Sequence, residues 1–272
     1  MAPVTAGLTI TLSKHEGLGN DFLIAVDPPR PLAPADARSW CDRRRGVGAD
    51  GLIELRSQPS ESPFVMTLFN ADGSKAEVSG NGLRCAAQAL AAHLGLEAPS
   101  ALDIDTDAGR RHVELLAIKG PLADVRVDMG VAKPGPPDST AWDGLQVVVH
   151  RQVGVDMGNP HLVALVDDPD KYDIAHVGAT VEADYPAGLN VHLVSVEADG
   201  TIELRVWERG AGVTEACGSG ACAAGVAATR WGLVEGPVSV HMPGGAAEVE
   251  VVDDNVLLSG PAAYIAQVVV DG

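Results

Sequence analysis

A long internal repeat constrains this chain more than any other feature. Gly19-Asn20-Asp21-Phe22-Leu23-Ile24-Ala25-Val26 returns 139 residues later as Gly158-Asn159-Pro160-His161-Leu162-Val163-Ala164-Leu165. Ser79-Gly80-Asn81-Gly82 returns at an offset of 138 as Cys217-Gly218-Ser219-Gly220. Each of these turns runs into an Ala-rich segment, Cys85-Ala86-Ala87 or Cys222-Ala223-Ala224. Nine residues before Ser79 stands Asn70, and nine before Cys217 stands Glu208. Asp105 to Glu114 is echoed by His241 to Glu250, near offset 136. A collinear series at nearly one offset points to two similar domains. The period is too long for a solenoid, whose units run to roughly 20–50 residues.

Each half reads in the same order. Short β-rich stretches come first: Leu8–Leu12, Phe22–Val26, Leu52–Leu55 and Phe64–Phe69, then Val147–Val149, Leu162–Val166, Val191–Val196 and Ile202–Trp207 in the other half. A Gly-rich turn opens one Ala-rich helix, Leu83–Leu94 or Ala221–Trp231, and Gly95 or Gly232 stands where a helix C-cap belongs. More strands follow. Lys133-Pro134-Gly135-Pro136-Pro137-Asp138 punctuates the chain between the halves. Many short strands with one long helix per half predict an α+β fold. The expected architecture is two similar, pseudo-twofold-related domains, each a curled or closed sheet around a central helix. In such a pair equivalent loops can face each other, so the cleft between domains is the expected ligand site.

Charge narrows the partners. Asp plus Glu number 37 against 19 Lys plus Arg, a net charge of −18. A field of that sign repels phosphate backbones and anionic lipid, so neither nucleic acid nor a membrane is expected as a partner. No apolar run approaches the length of about 18 residues that spans a bilayer. Met1 to Thr11 has no basic segment ahead of an apolar stretch, so no secretory signal is expected. Four cysteines are too few for a disulfide framework. The eight histidines show no metal-ligand spacing, so no metal is assigned. No lysine lies in a motif suggesting a pyridoxal Schiff base. The composition suits a cytoplasmic enzyme.

A Gly-rich turn at a helix start exposes unpaired backbone N–H groups, and the helix dipole adds partial positive charge. Such a terminus binds phosphate or carboxylate; the plainer reading is an ordinary N-cap turn. Two in register within a duplication favour a carboxylate gripped from both sides. Cys217 stands at the edge of the second turn, where a helix N-terminus can bring a thiol from about 8.5 down to roughly 3.5–7.5. Its expected state is thiolate near neutral pH, the alternative being a small buried hydrophobe. For Cys41, Cys85 and Cys222 packing is explanation enough.

Several segments resemble one known family. Lys14-His15-Glu16-Gly17-Leu18-Gly19-Asn20-Asp21-Phe22 is similar to its opening K-x-x-G-x-G-N-D-F, and Arg44-Arg45-Gly46-Val47-Gly48-Ala49-Asp50 to its R-x-G-[IV]-G-x-D loop. Asn70-Ala71-Asp72-Gly73-Ser74, with Gly80-Asn81-Gly82-Leu83-Arg84, resembles N-A-D-G-S-x5-G-N-G-x-R. Gly158-Asn159-Pro160-His161 matches G-N-P-H. Trp207-Glu208-Arg209-Gly210-Ala211-Gly212, through Ala216-Cys217-Gly218-Ser219-Gly220-Ala221-Cys222-Ala223, is similar to W-E-R-G-x-G-x-T-x-A-C-G-[ST]-G-A-C-A. These motifs belong to the diaminopimelate epimerases. G-N-G rather than G-H-G separates them from the related proline racemases.

The resemblance implies a cofactor-free inversion at an amino-acid α-carbon, interconverting LL- and meso-diaminopimelate for lysine and peptidoglycan synthesis. One group removes the α-proton and another returns one on the opposite face, while helix termini stabilise the developing charge. By the family pattern the catalytic residues are Cys217 and Ser79's position, tuned by His161 and Glu208. Asn20, Asn70, Asn159, Asn190 and Arg209 hold the substrate's polar ends. The backbone at Gly80-Asn81 and Gly218-Ser219 takes the α-carboxylate. The resemblance also implies a homodimer, and domains of 1–120 plus 262–272 and of 121–261, with the last strand crossing back into the first.

One position departs from the family. Both catalytic groups there are cysteines, one before each Gly-x-Gly; here the first is Ser79, and Cys85 lies six residues on. An alcohol near the pKa of water, about 15.7, is some seven units less acidic than a thiol, roughly 10 kcal/mol less favourable as an anion. Three readings follow: an epimerase in which Ser79, directly or through water, relays one proton; a racemase or dehydratase of another amino acid in which Cys217 abstracts and Ser79 donates or positions; and a non-catalytic amino-acid binder. The intact substrate-holding set carries the first.

Overall fold

The computed structural model describes residues 8–58, 64–76 and 78–272; Met1–Gly7, read above for a signal, lies outside them. Two compact units divide the chain, one of Met1–Val78, Gly82–Val125 and Pro261–Gly272, the other of Ser79–Asn81 and Arg126–Gly260.

In unit one β1 (Thr9–Gly17) and β2 (Asn20–Val26) form an antiparallel hairpin in which Gly17 pairs with Asn20. The two-residue turn has φ of 58° at Leu18 and 82° at Gly19, the paired left-handed conformation that matches strand twist. β2 then pairs parallel with β3 (Gly51–Ser57) after a crossover through α1 (Pro34–Trp40). β3 pairs antiparallel with β4 (Phe64–Asn70), which carries a short partner, β5 (Lys75–Ala76). A second crossover, through α2 (Gly80–Leu94), leads to β6 (Ser100–Thr106), parallel to β4, and β6 turns back antiparallel as β7 (Gly109–Lys119).

β8 (Leu122–Val131) carries the chain from unit one into unit two, where β9 (Lys133–Pro134) follows. The short α3 (Trp142–Leu145) precedes β10 (Arg151–Asp156), which pairs antiparallel with β11 (Pro160–Leu165). A crossover through α4 (Ile174–Glu182) brings β12 (Asn190–Val196) parallel to β11, and β13 (Ile202–Glu208) antiparallel to β12. After β14 (Gly212–Val213) and α5 (Gly218–Arg230), β15 (Val238–Met242) lies parallel to β13 and β16 (Gly245–Val252) returns antiparallel. The long β17 (Asn255–Asp271) pairs with β16 through its first residues; its last residues belong to unit one and pair with β1. Strand for strand, the pairing order of unit two repeats that of unit one, so the duplication is topological as well as sequential.

The central helices follow from composition. α5 reads GSGACAAGVAATR and is buried from Gly218 through Ala228. A helix apolar on all sides has no solvent face and must be wrapped, and β10–β13, β15 and β16 pack around it. Small side chains set the approach: a methyl on Gly225 would lie 2.6 Å from Val249 Cγ1. α2 is likewise buried from Asn81 through Ala91. β12, with six consecutive buried residues, is covered on both faces. The Val177 and Val181 side of α4 joins Leu189, Val191 and Leu193 in one core cluster. In unit one Ala37 and Trp40 of α1 join Leu23, Leu52 and Phe69.

Three elements depart from the sequence reading. Each unit holds more than one helix. The Asp173 carboxylate caps α4 by accepting from Ala175 N at 3.0 Å, and Ile174, Val177 and Val181 supply a helical stripe. Val147–Val149 forms no strand; Gln146 turns left-handed at φ 55°, Val147 packs into the core, and pairing begins at Arg151. Lys133–Asp138 does not separate the halves but lies inside unit two, where β9 pairs with β10. The chain changes units within β8, a continuous strand.

Candidate active site

Topology gathers the candidate residues of unit two at one end. β11 and β12 are parallel and β13 antiparallel, so the starts of the first two and the end of the third coincide. Asn159 immediately precedes β11, Asn190 opens β12 and Glu208 closes β13. The same logic puts Asn20, at the start of β2, and Asn70, at the end of β4, at one end of unit one.

Cys217 is the N-cap of α5, with φ −131° and ψ 110°. Its Sγ accepts from Gly220 N at 3.3 Å and lies 3.6 Å from Ser219 Oγ. The expected thiolate is not what this setting favours. Burial pushes the Cys217 thiol well above its ordinary pKa; the Glu208 carboxylate adds to the rise, by its charge and by taking the thiol's hydrogen bond, while Ser219 and the Gly220 N–H oppose it. The magnitudes explain the sign. A helix terminus contributes about 0.3–1 kcal/mol, up to about 2, whereas full burial moves a pKa by as much as 3–5 units, each about 1.4 kcal/mol. Cys217 therefore rests as a neutral thiol. Cys41 and Cys85, buried and pushed up to about 12, are packing residues, and Cys222 is fully buried in α5.

The two Gly-rich turns meet. Ser79, Gly80 and Asn81 belong with unit two. A methyl on Gly218 would stand 3.2 Å from Gly80 Cα and 3.4 Å from Asn81 N, and one on Gly80 would stand 2.6 Å from Leu258 Cδ2. Only glycine lets these backbones approach so closely. The tip of α2 thus abuts the tip of α5, with half-buried Ser79 one residue before the first contact and Cys217 one residue before the second.

Around this point the polar groups are tightly held. Asn159 Nδ2 donates to Ser219 Oγ at 3.4 Å, and its Oδ1 lies 2.8 Å from His161 Nε2. His161 has no exposed surface, and its other ring nitrogen, Nδ1, is 2.8 Å from His192 Nε2, so both of its nitrogens lie within hydrogen-bond distance of a protein group. Asn190 Oδ1 accepts from Arg209 N at 3.0 Å and its Nδ2 donates to Pro160 O at 2.8 Å. Among the described residues these two bonds leave one amide hydrogen of Asn190 over. Arg209 is exposed and donates to Ala187 O at 3.2 Å. Thr214 Oγ1 donates to Glu208 Oε1.

In unit one the motifs form a charge lattice. Asp21 accepts from Lys14 at 2.8 Å and from Arg43 at 2.7 Å, and Arg43 also reaches Asp50 at 2.7 Å. Asp50 Oδ2 accepts from Asn20 Nδ2 at 2.8 Å, fixing that amide. These cations hold Asp21's carboxyl below its usual pKa against the opposing effect of burial. Asn70 Nδ2 donates to Ser74 Oγ at 3.0 Å. Among the described residues no cluster of three or more His, Cys, Asp or Glu could hold a metal ion.

Comparison with known proteins agrees with this arrangement. The diaminopimelate epimerase family model matches residues 12–134 and 153–265, one stretch for each copy of the repeat. The chain belongs to the diaminopimelate epimerase family. It is 40% identical to the diaminopimelate epimerase of Corynebacterium glutamicum, over 95% of this chain and 97% of that protein. It is 39% identical to that of Magnetococcus marinus, over 93% and 94%. Its fold matches a PhzF-family phenazine biosynthesis protein of Bacillus anthracis with a TM-score of 0.76 at 16% identity, covering 96% of this chain and 99% of that one.

Membership makes this chain an isomerase and an amino-acid epimerase. Two residues of this epimerase escape sequence reasoning. Arg43 adjoins the Arg44–Asp50 motif but binds both Asp21 and Asp50; its signal was a run of three arginines. His192 alternates with apolar residues on a buried strand, and no local pattern pairs it with His161.

Proposed function

We propose that this epimerase inverts diaminopimelate at its α-carbon with Cys217 serving one face and Ser79 the other. The observation that carries the reading is the abutment of Gly80 and Gly218, which sets a thiol and a hydroxyl at the same meeting of helix tips. The N–H groups of Gly80-Asn81 and Gly218-Ser219 donate to the α-carboxylate and stabilise charge as Cα loses its proton. Asn20, Asn70, Asn159, Asn190 and Arg209 hold the remaining polar ends.

The neutral thiol gives Cys217 a proton to return to the carbanion. In the reverse direction Glu208, which already takes the thiol's hydrogen bond, receives that proton and frees the thiolate to act as base. Ser79, far weaker as an acid, gives its proton to the carbanion and regains one from a water, and the hydroxide so formed takes the proton held by Glu208; this step limits the rate. No cofactor enters. The acidic composition suits a reaction in the cytoplasm. No helix of the described residues is long and apolar enough to cross a membrane. A second copy of the chain covers exposed apolar side chains that unit one carries on β7 and β17, namely Leu116, Ile118, Tyr264, Ile265 and Val269.

Incubation with LL-diaminopimelate in D₂O tests the reading. Deuterium at Cα with appearance of the meso isomer is expected, and Cys217→Ala should abolish both. Loss of a β-substituent from a β-substituted amino acid without inversion, or binding without exchange, would replace it.

A further inference from the structure

Behind Asn159 lies a chain of buried polar groups whose far end, His192, the proposed function leaves without a role. His192, on β12, has no exposed surface. Its Nε2 is 2.8 Å from His161 Nδ1, with ring centroids 5.0 Å apart and planes inclined by 26°. His161 Nε2 is 2.8 Å from Asn159 Oδ1, and Asn159 Nδ2 is 3.4 Å from Ser219 Oγ. His192 Nδ1 is buried with no hydrogen-bond partner among the described residues. The ring also lies against the first turn of α5: a methyl on Gly220, whose N–H donates to Cys217, would come within 2.6 Å of His192 Cε1.

The proton positions follow. A carboxamide oxygen only accepts, so His161 Nε2 carries the hydrogen. Burial keeps both rings neutral, His192 down to about 3 and His161 well below its ordinary value. A neutral His161 then presents a bare Nδ1, and His192 Nε2 must be the donor to it. That leaves a lone pair, not an N–H, at the orphan His192 Nδ1. The opposite assignment, with the Asn159 amide flipped, would bury an orphan N–H, the rarer and costlier defect.

We infer that His192 is a positioning residue for the epimerisation: it donates to His161, fixes the tautomer that donates to Asn159, and so holds the Asn159 amide with its nitrogen toward Ser219 and the start of α5. This rests on the function proposed above. The amide's orientation decides whether it offers the substrate a donor, and misplacement of a positioning group by about 1 Å can cost on the order of 100-fold in rate.

Nitrogen-15 NMR of the histidine-labelled intact enzyme reads the tautomers directly. The expected spectrum has protonated Nε2 and bare Nδ1 on both His161 and His192; protonated Nδ1 on His161 overturns the inference. His192→Gln, whose amide can still donate, should retain kcat/KM to within a few-fold. His192→Leu should lose roughly 10- to 100-fold, with KM raised and the thermal midpoint close to that of the Gln variant. A folded Leu variant with parental kcat/KM, or Gln as impaired as Leu, overturns it. If the Leu variant does not fold, the parent's spectrum and the Gln variant decide. The tautomers are measured without turnover, so an enzyme inert toward diaminopimelate would sink the proposed function and leave this result readable.

Discussion

At the scale of residues, one atom distinguishes the two copies of the repeat before their Gly-rich turns: Ser79 carries an oxygen where Cys217 carries a sulfur. If Ser79 limits the rate, Ser79→Cys should raise kcat for diaminopimelate roughly 10-fold or more, within the range that a well-matched acid or base supplies. A steady-state assay of the two proteins checks this. The variant should also gain an inactivation by mild oxidant that dithiothreitol reverses, because two thiols would then flank the Gly80–Gly218 contact. The buried histidines make a second prediction. Desolvation holds His15, His161 and His192 below the usual 6.5, His192 at about 3. Unfolded, each regains its ordinary affinity for a proton. Below pH 6.5 the unfolded chain therefore binds protons that the folded one refuses, and stability present above that pH is lost as pH falls toward 3. Each group steepens the loss by at most about 1.4 kcal/mol per pH unit. Urea midpoints between pH 7 and pH 4 should fall, and fall less steeply in His192→Gln; equal slopes would contradict the assignment.

At the scale of elements, glycines show packing overruling propensity. Ala is normally better than Gly in a helix by about 1 kcal/mol. On α4, however, a methyl at Gly178 would lie 2.3 Å from Trp207 Cβ and Cγ, atoms too near the backbone to move aside. Trp207 is further pinned by its Nε1 hydrogen bond to Glu182 at 2.7 Å. Gly178→Ala should destabilise by about 1–3 kcal/mol, whereas Gly144→Ala in α3, where nothing lies within 4 Å, should be neutral or slightly stabilising. Thermal midpoints of the two variants measure the contrast. The main strands and both central helices were legible because each carries its own periodic or uniform apolar pattern. α1 and α4 were less so, being short crossovers whose signals, Pro34 near a helix start and Asp173 as a cap, are shared with ordinary turns.

At the scale of the whole molecule, duplication supplies both units from one plan, and the proposed function takes the exposed apolar residues of unit one as a dimer face. Light scattering should return twice the 28.0 kDa of one chain, and Tyr264→Asp, which places a charge among those exposed apolar residues, should shift the mass toward one chain without abolishing folding. A parent that remains a single chain at high concentration would contradict the dimer.

The amino-acid sequence by itself determined the duplication, the α+β class, the chemistry available at the Cys217 and Ser79 positions and the family's motifs, because each is written in residues close together or repeated in order. Only the tertiary structure decided what those groups can do. Desolvation pushes the Cys217 thiol up where its place at a helix start suggested down, and His192, 31 residues from His161, lies within hydrogen-bond distance of that ring. Asn190 spent most of its amide on backbone. Burial and long-range hydrogen bonding depend on which strands lie side by side, and no local run of residues records that.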